Sequence, residues 1–230
     1  MSLQRLFEPL PHGIETYRLD FDLARDGTQH WPALSAAEQV RAGRFMQRAD
    51  RLRFSATRTA VRQLLASRLG HQPADLPLAQ DAHGKPFVDM QGAAPLFNVS
   101  HSGSHALIVL ADSSAFSAVG IDIEQRRAAL DVSALSEAVL TDREKAAVVQ
   151  AADPLQALLQ RWVGKEAVLK AIGVGIAEHL RCVGIHPGLD GRSVVETTVP
   201  EWSDLDAMPL AAPSGYAAAL AWRSRVQHPG

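Results

Sequence analysis

Trp162-Val163-Gly164-Lys165-Glu166-Ala167-Val168-Leu169-Lys170 is the stretch from which the rest of the chain can be read. Leu158, Leu159, Trp162, Val163, Ala167, Val168 and Ala171 recur at helical spacing as far as Gly173, a residue suited to the left-handed cap that ends many helices. The pattern predicts a helix over 157–172. Glu166 and Lys170 stand one turn apart and share a face of it. Upstream, Gly120-Ile121-Asp122-Ile123-Glu124 alternates apolar and acidic residues as a strand does, which aims both carboxylates at one side of a sheet. Three carboxylates and a lysine that converge could hold a divalent cation against a phosphate. Hard Mg²⁺ takes oxygen ligands and is commonly shared between a few carboxylates and substrate phosphates.

A chain of 230 residues with 47% hydrophobic residues can build one domain or two small halves around a substantial core. Its 23 basic and 25 acidic residues leave a net charge of −2, which excludes a general nucleic-acid or membrane surface, so any basic patch is local. Cys182 is the only cysteine, excluding an internal disulfide and a thiolate metal cluster. Met1-Ser2-Leu3-Gln4-Arg5 is not followed by an apolar signal segment, and the longest apolar stretches are too short to span a bilayer. The expected location is the cytoplasm.

Tyr17, Leu19 and Phe21 predict a strand over 14–22, and Ser35-Ala36-Ala37-Glu38 is a capping box that starts a helix carrying Arg41 and Arg44. Arg48, Asp50, Arg51 and Arg53 lead into a second helix with a Val61, Leu64, Leu65, Leu69 stripe ending at Gly70; its arginines read first as a solvated face. Asp81-Ala82-His83-Gly84-Lys85-Pro86 reads as a tight turn presenting Lys85. Strands are expected over 96–99, 105–111 and 118–124, with Asp112-Ser113-Ser114 turning the last two into an antiparallel hairpin. Gln125-Arg126-Arg127 is a polar exit into loop, and Thr141-Asp142-Arg143-Glu144 is a second capping box. Further strands are expected over 182–186, 193–199 and 216–222, with 203–213 as loop. The capping-box helices and the 105–111 and 216–222 patterns rhyme, so the expected fold is α+β in two similar halves, 1–113 and 114–230, with a ligand cleft between them.

Asn98-Val99-Ser100-His101-Ser102-Gly103 reads either as a turn capped by serines or as a phosphate-contacting loop, and its spacing differs from the Gly-x-Ser-x-Gly elbow of hydrolases. No His-Glu-x-x-His spacing points to zinc. Asp122 with Glu124 reads alone as an acidic strand face, and Glu166 with Lys170 as an ordinary helix pair.

Taken in order, Gly84-Lys85-Pro86, Phe97-Asn98-Val99-Ser100-His101-Ser102, Val119-Gly120-Ile121-Asp122-Ile123-Glu124 and Trp162-x-x-Lys165-Glu166-Ala167-x-x-Lys170 resemble the four motifs of the Sfp-type 4'-phosphopantetheinyl transferases. The resemblance runs from Ser35 to Ile176. It implies two α+β halves, each a three-stranded antiparallel sheet plus helices, related by a pseudo-twofold axis. It implies transfer of the phosphopantetheine arm of coenzyme A to a serine of an apo acyl or peptidyl carrier protein, releasing 3',5'-ADP. Carried over by motif, Asp122, Glu124 and Glu166 would ligate Mg²⁺, and Glu166 or a water on the metal would take the serine proton. Lys170 would neutralise charge growing on the phosphate, while Lys85, Pro86, Ser100, His101, Arg53 and Arg44 would face coenzyme A, with Arg41 as a further candidate. Glu38 departs from the lysine that family members often carry in the first helix. Carrier docking is expected along 125–140, where Arg126 and Arg127 adjoin Leu130, Val132 and Leu135, and a monomer is expected. Two other readings of the same residues are a metal-dependent phosphodiesterase and a non-catalytic coenzyme A or carrier-binding protein. The motifs carry no information on which carrier is modified.

Overall fold

The computed structural model describes residues 2–24, 30–127 and 129–226. Strands β1 (Ser2–Leu6) and β2 (Ile14–Asp20) open the chain as an antiparallel pair, followed by helices α1 (Ala36–Gly43) and α2 (Arg48–Leu69). The expected capping box forms: Ser35 Oγ accepts from the Glu38 backbone and the Glu38 carboxylate accepts from Ser35 N at 3.0 Å. Gly70 ends α2 at φ 69°, the left-handed conformation that glycine adopts without a Cβ clash. A short ribbon, β3 (Leu78–Gln80) and β4 (Pro86–Val88), leads to the hairpin β5 (Leu96–Ser102) and β6 (His105–Ala111).

The second half repeats this order. Strand β7 (Phe116–Gln125) is followed by α3 (Val132–Val139), the capping-box helix α4 (Asp142–Val149), the long α5 (Pro154–Ile172) and the short α6 (Ile176–His179). Strands β8 (Val183–Pro187), β9 (Ser193–Thr197), β10 (Asp206–Leu210) and β11 (Tyr216–Ser224) complete it. One sheet runs β1-β2-β6-β5 and the other β7-β11-β10-β9-β8. The triads β2-β6-β5 and β7-β11-β10 are the repeated three-stranded unit. The expectation of three strands per sheet is corrected to four and five, because β1 extends one unit and β8-β9 the other.

Strand periodicity sorts the core into layers. On β6, Ala106, Ile108 and Leu110 face Leu52, Ala56, Val61 and Leu65 of α2, whereas Leu107, Val109 and Ala111 face the other sheet. On β11, Ala217, Ala219 and Ala221 meet α5, whereas Leu220 and Trp222 join Val119, Ile121 and Ile123 of β7 between the sheets. The order of layers is therefore α2, first sheet, second sheet, α5. Small residues under α5 let it lie close. A Cβ on Gly120 would strike the Ala167 carbonyl and the Ala171 backbone.

Three expectations are corrected. Strands 105–111 and 118–124 do not form a hairpin, since β6 pairs with β2 and β5, and β7 pairs with β11; Asp112-Ser113-Ser114 carries the chain from one sheet to the other. Strand β5 continues through Ser100, His101 and Ser102, so the turn begins only at Gly103, at φ 54°. Residues 203–213 contain β10, whose Pro209 disguises it; β9 leaves the β10 ladder at Ala207↔Ser193, so the proline sits where one side is unladdered. The polar exit at Arg126 and Arg127 is loop as expected, and beyond it the chain forms α3, a helix the sequence reading did not foresee, where Asp131 caps the helix and Leu130, Val132 and Leu135 are half-buried against the core around α5. Among the described residues no helix is long and apolar enough to cross a membrane. The polar tail beyond Val226 lies outside the described residues.

Candidate active site

Strand β7 carries Asp122 and Glu124 on the face shared with Gly120, toward α5, as the alternation required. The close approach at Gly120 brings α5 within side-chain reach of them. Lys170 Nζ stands 2.5 Å from Asp122 Oδ1, 3.4 Å from Glu166 Oε2 and 3.1 Å from Ser100 Oγ. Ser100 Oγ also donates to Asp122 Oδ1 at 2.7 Å, and Ser102 Oγ to Glu124 Oε2 at 2.8 Å. The serines of β5 thus hold the acids of β7. Asn98 Oδ1 and Ser102 Oγ accept from the Ile121 and Gln125 backbone N–H groups, tying the edge of one sheet to the edge of the other. The reading of 98–103 as a free phosphate-contacting loop is therefore corrected for Ser100, a buried side chain held by Asp122 and Lys170.

The electrostatics follow from crowding. Burial, then the charge of Asp122, hold Glu124 above the ordinary carboxylate range, and the same two causes raise Glu166. Burial pulls on Lys170 in the opposite sense, but the charges of Asp122 and Glu166 outweigh it and hold the ammonium above the usual lysine value. Lys170 stays charged while its acidic neighbours repel one another.

Among the described residues no three His, Cys, Asp or Glu side chains stand as a ready ligand set. Lys170, Ser102 and Trp162 each hold one oxygen of Asp122, Glu124 and Glu166 respectively. The second oxygen of Asp122 is buried and accepts no hydrogen bond among the described residues. An orphaned carboxylate oxygen beside two further carboxylates of raised pKa fits a hard cation, whose charge would relieve both conditions.

Beside this cluster opens a cleft of about 440 Å³. Its walls come from α2 (Arg41 lies just before it, on α1), the β3–β4 turn, β5 and the end of α5, so it lies between the halves. Lys170, His101, Lys85 and Pro86 line it, joined by Arg41, Arg58 and His83. Arg44 and Arg53 do not. Arg44 caps the end of α1 on a separate surface hollow, and Arg53 donates to the Gly103 carbonyl at 2.8 Å and pairs with Asp50 at 2.8 Å. Lys85 Nζ donates to the carbonyls of Val119, Lys170 and Ala171, at 3.2, 2.6 and 3.0 Å, so it reaches across the cleft to the carbonyl end of α5. Burial pushes its pKa down to about 8 against the opposing effect of Asp81. His101, on the solvent side of the cleft, titrates below its usual value through desolvation and then through the charges of Arg53 and Lys170.

Two family models match the chain: one described as the 4'-phosphopantetheinyl transferase superfamily over residues 118–221, the other as 4'-phosphopantetheinyl transferase, N-terminal, over 25–114. The 4'-phosphopantetheinyl transferase HetI of Nostoc sp. is 30% identical over 203 residues, covering 85% of this chain and 83% of HetI. The chain belongs to the 4'-phosphopantetheinyl transferase superfamily. This transferase is also 31% identical over 180 residues to the phosphopantetheinyl transferase of Thraustochytrium sp., covering 72% of this chain and 58% of that protein. The L-aminoadipate-semialdehyde dehydrogenase-phosphopantetheinyl transferase of Homo sapiens is 29% identical over 161 residues, covering 65% of this chain and 51% of that protein. The chain thus matches little more than half the length of these two relatives.

The transferase holds its site with residues that motif reading undervalued. Trp162 Nε1 donates to Glu166 Oε1 at 2.6 Å, fixing the carboxylate from one turn away. Lys165, adjacent to Glu166, turns the opposite way: it is fully buried, 2.6 Å from the equally buried Glu144, and donates to the Val139 and Leu180 carbonyls. Glu38, the departure from the family pattern, is consumed by its capping box and by Arg58 and Arg62. That leaves Arg58 and Arg41 as the first half's arginines in the cleft, and the helical arrangement that sets them there has no signature in charge pattern alone. Arg126 pairs with Asp153, the cap of α5, so it is not a free docking cation.

Proposed function

We propose that this protein transfers the 4'-phosphopantetheine arm of coenzyme A to a serine hydroxyl of an apo acyl or peptidyl carrier protein, with Mg²⁺, releasing 3',5'-ADP. The observation that carries the reading is the convergence of Asp122, Glu166 and Lys170, from two elements of the C-terminal half, at the wall of a basic cleft shared with the N-terminal half. In this division residues 1–113 supply most of the cleft's basic and apolar wall, and residues 114–230 the acids and the lysine.

Coenzyme A's phosphates would lie among His101, Arg41, Arg58, His83 and Lys170, and its apolar groups against Phe54, Val61 and Phe97. Asp122, Glu124 and Glu166 would hold Mg²⁺, which when bound draws charge from the pyrophosphate and brings it in line with the carrier serine. The serine oxygen forms a bond to the phosphorus bearing the pantetheine arm as the bond from that phosphorus to the bridging oxygen of 3',5'-ADP breaks. Glu166, raised in pKa and aimed by Trp162, accepts the serine proton. Lys170, held as an ammonium, offsets the charge arriving on the phosphate oxygens of the leaving 3',5'-ADP. The carrier would approach the open side of the cluster near Arg127 and α3.

Intact-mass measurement of a panel of apo carriers after incubation with coenzyme A and Mg²⁺ tests the reading. The expected result is one added phosphopantetheine per carrier with stoichiometric 3',5'-ADP. Glu166→Gln should lower the rate by at least about 100-fold while coenzyme A binding persists. Release of 3',5'-ADP without a carrier would mark a phosphodiesterase instead, and coenzyme A binding with no turnover on any carrier a binding protein.

A further inference from the structure

A second cavity, of about 200 Å³, lies on the far side of α5, between that helix and the second sheet beneath the β8–β9 turn. No residue lines both it and the cleft. Its floor is apolar, formed by Ile185, Pro187, Pro209 and Ala219, and its polar lining is Gln160, Arg161, His186, Arg192 and Ser193. Arg161 is 9% exposed, yet among the described residues it makes no ion pair. Its Nη1 donates to the Ala157 carbonyl at 2.8 Å, and its Nε, buried, has no acceptor among the described residues. Buried guanidinium groups are ordinarily matched by a carboxylate or phosphate, because an unmatched one loses its hydration for nothing.

Glu144 reaches Arg161 by charge alone, and the hydrogen-bonding capacity of the nearby acids is committed elsewhere. Glu144 Oε2 is taken by Lys165 and Thr141, and Glu144 Oε1 by the Ile185 backbone N–H. Glu196 pairs with His186 and Arg143. Asp190 and Asp206 stand 3.7 Å from Arg192, beyond hydrogen-bond distance, so they hold that guanidinium by charge only. Arg192 in turn lies 5.5 Å over the Trp222 ring.

We propose that this cavity is a binding site for a small organic monocarboxylate, its carboxylate taken by Arg161 and its compact apolar body seated on Ile185, Pro187, Pro209 and Ala219. Arg161 lines the cavity with no ion pair of its own among the described residues, so it offers a carboxylate its charge, and the apolar floor favours a hydrocarbon body over a bare phosphate. The site is separate from the transfer reaction. It touches α5 at Gln160, Arg161 and Gly164, on the helix that carries Glu166 and Lys170.

Titration of the whole protein with benzoate, followed by amide chemical shifts, tests the proposal, with benzamide as the uncharged counterpart and inorganic phosphate as the bare anion. Benzoate should bind saturably and shift residues of α5, β8 and β10, while benzamide and phosphate bind at least about tenfold more weakly. Arg161→Met should lower benzoate affinity by at least about tenfold while leaving carrier modification at the wild-type rate. Ala219→Val, which fills the floor and leaves Arg161 in place, should also weaken binding and guards against misfolding of the first variant. Equal binding of benzoate and benzamide, undiminished binding by either folded variant, or no saturable benzoate shift in the wild-type protein would overturn the proposal. Tighter binding of phosphate than of benzoate would overturn the carboxylate assignment.

Discussion

At the scale of single residues, the site is a balance of like charges that one lysine does not neutralise. Glu124 is half-buried beside Asp122, and its folded pKa is raised above its unfolded value of 4.5. For a carboxyl with a raised folded pKa, the native state binds more protons than the unfolded chain between the two values. Stability therefore falls as pH rises through that window, and at neutral pH the destabilisation is fully present. A divalent cation would reverse it. Mg²⁺ is expected to raise Tm at pH 7.5 by a few degrees and by less at pH 5, as read by differential scanning calorimetry. Glu124→Gln should be at least as stable as wild type without metal, should lose the Mg²⁺ response, and should slow carrier modification by at least about 100-fold. The acids of this cluster were legible because strand alternation fixes the side of Asp122 and Glu124, and helical spacing fixes Glu166 against Lys170. The roles of Lys165 and Lys85 were not. Lys165 shares a motif with Glu166 but answers to Glu144, and Lys85 bonds to backbone carbonyls, which every sequence supplies.

At the scale of elements, the decisive contact is α5 on β7. It depends on a position without a side chain: a Cβ at Gly120 would meet backbone atoms of Ala167 and Ala171, which cannot rotate aside. Gly164 also faces a neighbour, but there a Cβ would meet the Ile185 side chain at 3.0 Å, which can give way. Gly120→Ala is thus expected to cost about 1–3 kcal/mol, as overpacking does, and Gly164→Ala less, both measured by urea unfolding. Because Gly120→Ala pushes Glu166 and Lys170 away from Asp122, kcat should fall more than the fraction folded; loss in proportion to unfolding alone would contradict the geometry. Helices α1, α2, α4 and α5 were well announced, since capping boxes and terminal glycines are local, whereas α3, with neither a capping box nor a terminal glycine, was not. Pairing partners were less so. The Asp112-Ser113-Ser114 turn looks like a hairpin turn, and only the competition of β2 and β11 for β6 and β7 sends the chain across to the second sheet.

At the scale of the whole molecule, two half-sized units share one cleft, and Lys85 is the strap between them. Its ammonium, carried on the β3–β4 turn of the first half, rests on the carbonyl end of α5 in the second. Its folded pKa of about 8 lies below the 10.5 of a free lysine. Below about pH 8 both states are protonated and the native state carries the burial penalty. Between about 8 and 10.5 the native state has released the proton that the unfolded chain retains, so stability conferred by this residue rises with pH. The stability of wild type relative to Lys85→Met, from chemical denaturation, should therefore increase between pH 7 and pH 10; a flat difference would show that Lys85 is not buried as described. The repeat of capping boxes and strand patterns made the two-unit architecture legible, whereas the added strands β1 and β8–β9 left no trace in the comparison of halves. The central claim is that Asp122, Glu124 and Glu166 gather around one cation at the mouth of the cleft. Anomalous diffraction from crystals grown with Mn²⁺ and coenzyme A tests it most directly. A single manganese peak bridging these three carboxylates and the pyrophosphate is the predicted result; a metal bound elsewhere, or a pyrophosphate held with no metal between it and Asp122, would contradict it.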